Sequence, residues 1–190
     1  MTIKNTEPTG RLQGKRALVT QADAYMGPAT VTHFEKEGAL VTTSTNIPKT
    51  EDDAQQIIAD GNHIDILVVN LAAENLYGRT IDTLTDEDFE LAFETMVFPL
   101  HRLVRAVIPQ MQQRKAGKII VFGSAVPLRP MARLAAYTAA RGAQISYVKS
   151  AGVELARHNI QLNLIAQNWV ENPAYYPDEL QAHPNFKSKM

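Results

Sequence analysis

The chain contains no cysteine, and that absence closes several routes at once. It excludes disulfide staples, a thiolate nucleophile, and zinc or iron–sulfur centres built on cysteine sulfur. An excess of one charge sign is also missing: Lys+Arg 19 stand against Asp+Glu 20, for a formal net charge of -1. Such balance leaves no global field to hold nucleic acid or an anionic membrane, and neither partner is expected. Long apolar runs are lacking too. Stretches such as Ile66-Leu67-Val68-Val69 fall far short of the ~20 residues a spanning helix needs. Met1 to Arg11 is polar, with Pro8, Gly10 and no apolar h-region, so no secretory signal is read and a cytoplasmic location is expected. What is present is ordinary globular material: 190 residues, 45% hydrophobic and 21% charged, enough for one domain with a full core.

Short apolar or β-branched runs recur at Lys15–Thr20, Ala39–Ser44, Asp65–Asn70, Lys118–Phe122 and Gln161–Ala166. Between them lie helical patterns: one ending near Glu37-Gly38, then Thr50 to Ala59, a long one from Asp86 to Gln113, and Ala135 to His158. Glu51, Asp52 and Asp53 suit the positive end of a helix dipole, as do Asp86, Glu87 and Asp88 behind the N-cap Thr85. Strands alternating with helices build βαβ units. The expected fold is therefore α/β, a Rossmann-like doubly wound parallel sheet with helices on both faces. Residues 1–11 are read as a flexible tail and residues 12–190 as a single catalytic domain. Nothing after Gln161–Ala166 supplies a helix and strand to close the sheet edge, so the domain is expected to be C-terminally incomplete.

Open α/β sheets bind ligands beyond the carboxyl ends of their strands. The first such turn, Thr20-Gln21-Ala22-Asp23-Ala24-Tyr25-Met26-Gly27, is short of the glycines that let a backbone approach a pyrophosphate. In a dinucleotide-binding turn a phenol ring at Tyr25 would occupy space that the cofactor phosphates or nicotinamide need. The second strand ends in Thr43-Ser44-Thr45-Asn46, with no acid for an NAD ribose. No NAD(P) is expected. Further along, Ser124 follows the fourth strand, and Tyr137 precedes Arg141 by one helical turn, which puts phenol and guanidinium on one face. A free tyrosine titrates near ~10 and is a poor base at neutral pH, but a neighbouring permanent cation favours the phenolate. Ser124 can donate a hydrogen bond to a substrate oxygen and hold it against the Tyr137 oxygen.

Together these features resemble the halohydrin dehalogenases, a branch of the short-chain dehydrogenase/reductase superfamily that has given up its nicotinamide. The resemblance runs from about Leu12 to Phe186. It rests on the aromatic-bearing loop Thr20 to Ala29, on Ser124 with Tyr137 and an arginine at 141 where reductases have lysine, and on Gln167-Asn168-Trp169-Val170-Glu171-Asn172-Pro173-Ala174-Tyr175-Tyr176-Pro177, similar to the family's halide-pocket segment. Laid over the superfamily's Thr-Gly-x-x-x-Gly-x-Gly turn, Gln21 and Tyr25 replace glycines and Gly27 alone keeps its place. The loop and the shortened Ser44–Asp65 connection look most like the B-type members.

The resemblance implies a lyase that converts vicinal haloalcohols to epoxides and opens epoxides with azide, cyanide or nitrite. Tyr137, Ser124 and Arg141 would be its catalytic residues. A halide ion would sit in place of the nicotinamide, held by Tyr25, Gln167, Asn168, Trp169 and Val170. Leu71, Ala125, Tyr175 and Tyr176 would line the substrate pocket, and a homotetramer would be expected by analogy. Two departures stand out: Leu71 follows Asn70 where some relatives carry an acid that braces the arginine, and Met96 stands where reductases have a helix asparagine. A divergent NAD(P)-dependent reductase using the same three residues and a catalytically silent interaction module remain alternatives.

The other chemistry-bearing residues are read more plainly. His33, His63, His101, His158 and His183 are scattered, with no spacing that suits a metal. Leu91, Phe93, Met96, Leu100, Leu103, Val104 and Val107 form a helical stripe of core or bundle interface. Arg102, Arg105, Arg114 and Lys115 are read as a solvated face. Trp169, taken alone, would be a core anchor.

Overall fold

The apolar run that the sequence marks as buried on both sides is strand β3 (Ile66–Asn70), and all of its residues are buried. Alternation sends Ile66 and Val68 to one face of the sheet and Leu67 and Val69 to the other, so each face carries its own core. The computed structural model describes residues 10–72, 78–168, 170, 179 and 182. Within them the order is β1 (Arg16–Thr20), α1 (Gly27–Lys36), β2 (Leu40–Ser44), α2 (Glu51–Gly61), β3, α3 (Asp86–Met96), α4 (Phe98–Arg114), β4 (Gly117–Phe122), α5 (Ala135–Ala156) and β5 (Ile160–Ile165).

The strands form one sheet in the order β2-β1-β3-β4-β5, with every neighbouring pair parallel. The chain steps outward from β1 to β2 and returns past β1 to β3. The β1/β3 boundary is thus the topological switch point, where doubly wound sheets open a crevice for ligands. Helices lie on both faces, as the Rossmann-like reading requires, but unequally. Val31 and Phe34 of α1 pack with Val19, Val68 and Phe122 on one face. On the other, Ile57 of α2, Leu103 and Val107 of α4, and Val148 of α5 pack with Leu18, Leu67 and Val121.

Local chemistry starts the helices where the sequence places them. Thr50 and Thr85 each close a capping box: the Asp53 N–H reaches Thr50 Oγ1 at 3.1 Å, and the Asp88 N–H reaches Thr85 Oγ1 at 3.3 Å. The return bond from the Thr50 N–H helps hold the Asp53 carboxyl below the usual carboxylate range.

Two expectations are corrected. The helix expected from Asp86 to Gln113 is two helices, α3 and α4, broken at Val97. Pro99 is the physical reason: it has no N–H to bond back into the preceding turn, and it sits at the start of α4, where a missing donor costs nothing. The basic residues of α4 are not one solvated face either. Arg114 donates to the Ile64 carbonyl at 2.7 Å, and Arg102 donates to the Pro48 carbonyl at 3.2 Å while lying 5.6 Å from the Phe98 ring centroid. Both arginines tie α4 to the segments flanking α2.

Candidate active site

The turn after β1 is built on side chains where glycines would be the easy choice. Gln21 and Tyr25 both take left-handed backbone, with φ 41° and 53°. For a residue with a Cβ that conformation costs about 1–2 kcal/mol, so the surroundings must hold it. Two neighbours do. Asn70, the last residue of β3, donates from Nδ2 to the carbonyls of Gln21 and Ala24, both at 2.9 Å. The buried Gln21 amide then bonds Ala72 in both directions, donating from Nε2 at 3.2 Å and accepting at Oε1 at 2.9 Å. Gly27 keeps its place for packing: a Cβ there would lie 2.2 Å from the Gln21 carbonyl oxygen. A side-chain amide therefore bridges the turn after β1 and the segment after β3, at the switch point.

Ser124 lies just past β4, 5% exposed, and its Oγ accepts the Val126 N–H at 3.1 Å, which sets the loop's direction. The next residue, Ala125, donates its N–H to the Gln167 carbonyl at 2.7 Å. That bond draws the segment after β5 alongside Ser124.

Tyr137 stands in the first turn of α5 and Arg141 one turn on; both are buried. The Arg141 guanidinium carbon lies 5.1 Å from the Tyr137 ring centroid, so the shared face expected from the spacing forms. Arg141 Nη1 donates to the Phe122 carbonyl at 3.0 Å and to Gln144 Oε1 at 2.9 Å. Its Nε is buried with no hydrogen-bond partner among the described residues. A permanently charged group, 2% exposed and bonded among the described residues to neutral oxygens, is poised to stabilise negative charge that develops beside it. A hydroxyl, a phenol and a buried cation are suited to taking a proton from a substrate hydroxyl and holding the oxyanion that results.

The remaining site residues are placed as follows. Tyr25, Ala125, Gln167 and Val170 are half-buried, and Asn168 is exposed. Leu71 is 1% exposed and packed in the main core. Trp169, Tyr175 and Tyr176 lie outside the described residues. Among the described residues no group of His, Asp and Glu could hold a metal ion, and no helix is long and apolar enough to cross a membrane. Sequence reasoning missed Gln144. Its spacing, three residues after Arg141 on one helix, was the signal available.

The sequence signature described as short chain dehydrogenase matches residues 40–175, which include Ser124, Tyr137 and Arg141. The chain belongs to the short-chain dehydrogenase family. Among relatives of this short-chain dehydrogenase family member is dehydrogenase/reductase SDR family member 4 of Oryctolagus cuniculus, 28% identical over 158 residues. That match covers 80% of this chain but spans only 60% of the relative's length. Two solved structures are similar at higher overlap. One, described as a dehalogenation enzyme, superposes with a TM-score of 0.84 at 29% identity and covers 94% of this chain and 82% of the other. The second is a halohydrin dehalogenase bound to ethyl (2S)-oxiran-2-ylacetate, with a TM-score of 0.81, 26% identity, and 91% and 79% of the two chains covered.

Proposed function

We propose that this short-chain dehydrogenase family member is a halohydrin dehalogenase that works without a nicotinamide. The carrying observation is a contrast within one site. The Gln21 amide bridges to Ala72 from the turn where a dinucleotide's pyrophosphate would need bare backbone, while the buried Ser124, Tyr137 and Arg141 are all kept. The turn does not fit NAD(P), so no step runs through it. Likeness to a halohydrin dehalogenase that binds an oxirane supports the same reading.

The reaction follows from the residues. Ser124 donates a hydrogen bond to the hydroxyl oxygen of a vicinal haloalcohol, and Tyr137 takes its proton. The oxygen attacks the neighbouring carbon within the same molecule. The carbon–halogen bond breaks as the carbon–oxygen bond forms, and an epoxide and a halide ion result. Intramolecular attack requires orientation and charge stabilisation, which Ser124 and Arg141 supply, and no covalent enzyme intermediate. The halide leaves toward Tyr25 and the Gln167–Val170 segment, where N–H donors and aromatic ring edges suit a desolvated anion. In reverse, azide, cyanide or nitrite enters along the same path and opens the epoxide. A homotetramer belongs to the same proposal, and exposed Leu91 on α3 and Phe98 on α4 supply apolar surface for it.

The test is halide release from 1,3-dichloro-2-propanol and a bromohydrin by the full chain with no nicotinamide added. Release that disappears in Tyr137→Phe is expected. Absence of release together with saturable NADPH binding would overturn the proposal in favour of a divergent reductase, which the dehydrogenase relatives favour. Absence of both would leave a silent module.

A further inference from the structure

We propose that Gln144 is a positioning residue for Arg141: a neutral brace that fixes the guanidinium against Tyr137 without cancelling its charge. The proposal rests on the dehalogenase reading for its chemistry and on the geometry of α3, α4 and α5 for everything else.

Gln144 is 0% exposed, and both ends of its amide are engaged. Oε1 accepts from Arg141 Nη1 at 2.9 Å, and Nε2 donates to the Met96 carbonyl at 2.8 Å. That carbonyl belongs to the last residue of α3, in the final turn whose acceptors a helix leaves open. The break at Val97, with Pro99 behind it, therefore creates the acceptor that anchors Gln144. From there the chain of contacts runs through the Gln144 amide to Arg141, and from Arg141 to the Tyr137 ring.

The brace carries no charge, and among the described residues neither does any other group that holds Arg141. Arg141 forms no ion pair among the described residues. Of the elements packed against α5, β5 has no titratable side chain, and α4 carries His101, Arg102, Arg105 and Arg114 but no acid. Of the acids on α3, Asp88 pairs with Arg79 at 3.2 Å and Glu94 with Arg102 at 3.7 Å, while Asp86, Glu87 and Glu90 are exposed. On α5 itself the one acid, Glu154, lies near the far end of the helix. A buried unpaired cation is costly, and the cost falls when negative charge appears beside it. Among the described residues a glutamine at 144 leaves no fixed partner for that charge, so it comes from the site, on the Tyr137 oxygen or the substrate oxygen. A carboxylate at 144 would supply it permanently and quench the effect.

The experiment compares Gln144→Glu and Gln144→Met with the wild type in the full chain. The first readout is the pH profile of halide release. Gln144→Glu keeps an acceptor for Arg141 but adds a negative charge, so the acid limb should move up by about one pH unit or more. A purely structural role would lower stability and leave the limb in place, so superposable profiles would overturn the proposal. Should Gln144→Glu not fold, Gln144→Met decides. It removes the brace at similar volume, and kcat should fall on the order of tenfold to a hundredfold with KM nearly unchanged. An unchanged kcat would overturn the proposal. A second readout needs no turnover: the phenolate absorption of each protein, as the difference from its own Tyr137→Phe counterpart, titrated with pH. If the wild type releases no halide but this titration still moves in Gln144→Glu, the dehalogenase reading falls and the brace stands. If release is normal and neither measure moves, the brace falls alone.

Discussion

Gln21 and Ala72 exchange a reciprocal pair of hydrogen bonds, at 3.2 Å from the glutamine Nε2 and 2.9 Å to its Oε1. The pair joins the turn after β1 to the segment after β3, across the switch point of the sheet. Gln21 performs this from a backbone conformation that glycine would adopt freely, so its side chain does work that offsets local strain.

Opposing signs at one position make the first prediction. Gln21→Ala keeps the strain and deletes both bonds, leaving the Ala72 amide groups without that partner; it should cost about 2 kcal/mol or more of unfolding free energy. Gln21→Gly deletes the same bonds but removes the strain, and should recover about 1 kcal/mol of that loss. Urea denaturation of the two variants orders them. An alanine variant as stable as the glycine variant would show that the left-handed conformation carries no cost here.

The second prediction contrasts two glycines that are equally crowded on paper. A Cβ at Gly27 would lie 2.2 Å from the Gln21 carbonyl oxygen and 2.7 Å from Ala22 backbone; at Gly117 it would lie 2.2 Å from Met111 Sδ. The first obstacle is backbone in a turn held by Asn70; the second is the buried Met111 side chain, met at Sδ and at Cγ (2.6 Å), which is unbranched and has torsions that can turn. Gly27→Ala should therefore lower Tm clearly more than Gly117→Ala, with a destabilisation of about 3 kcal/mol against about 1. Equal losses in a thermal melt would mean that the turn yields as readily as a methionine.

How much of this was legible in the sequence depended on the range of each interaction. Strand β3 was visible because a run buried on both faces must be apolar throughout, and the Thr50 and Thr85 caps because their partners stand three residues away. Tyr137 and Arg141 were legible for the same reason, one helical turn being a local distance. The break at Val97 was hidden because the apolar stripe from Leu91 to Val107 continues through it, and periodicity outweighed the single Pro99. Gln21 and Gln144 were opaque as buried polar anchors. Their partners, Ala72 and Met96, lie 51 and 48 positions away, and only the assembled fold brings them near. The halide segment at Trp169, Tyr175 and Tyr176 lies outside the described residues and stays where the sequence put it.

The last prediction concerns alkaline pH. Burial pushes the Tyr147 phenol up to about 12, and the charge of Glu154 adds to the shift. Its ring meets His101 edge-on at 5.8 Å, and its hydroxyl lies 3.3 Å from His101 Nδ1. In the unfolded chain the same phenol ionises near ~10. Below that pH both states hold the proton and Tyr147 contributes no pH dependence. Between about 10 and about 12 the unfolded chain releases its proton while the folded one keeps it, so stability falls as pH rises. Above about 12 both are ionised and the loss levels off. Tyr147→Phe removes the proton from the balance and should flatten the decline over that window, whatever it costs at neutral pH. Denaturation midpoints measured from pH ~8 upward test this directly, since the wild-type curve should fall relative to the variant curve as pH rises above the free-phenol value. Parallel curves would show that Tyr147 ionises as readily in the folded protein as in the unfolded chain.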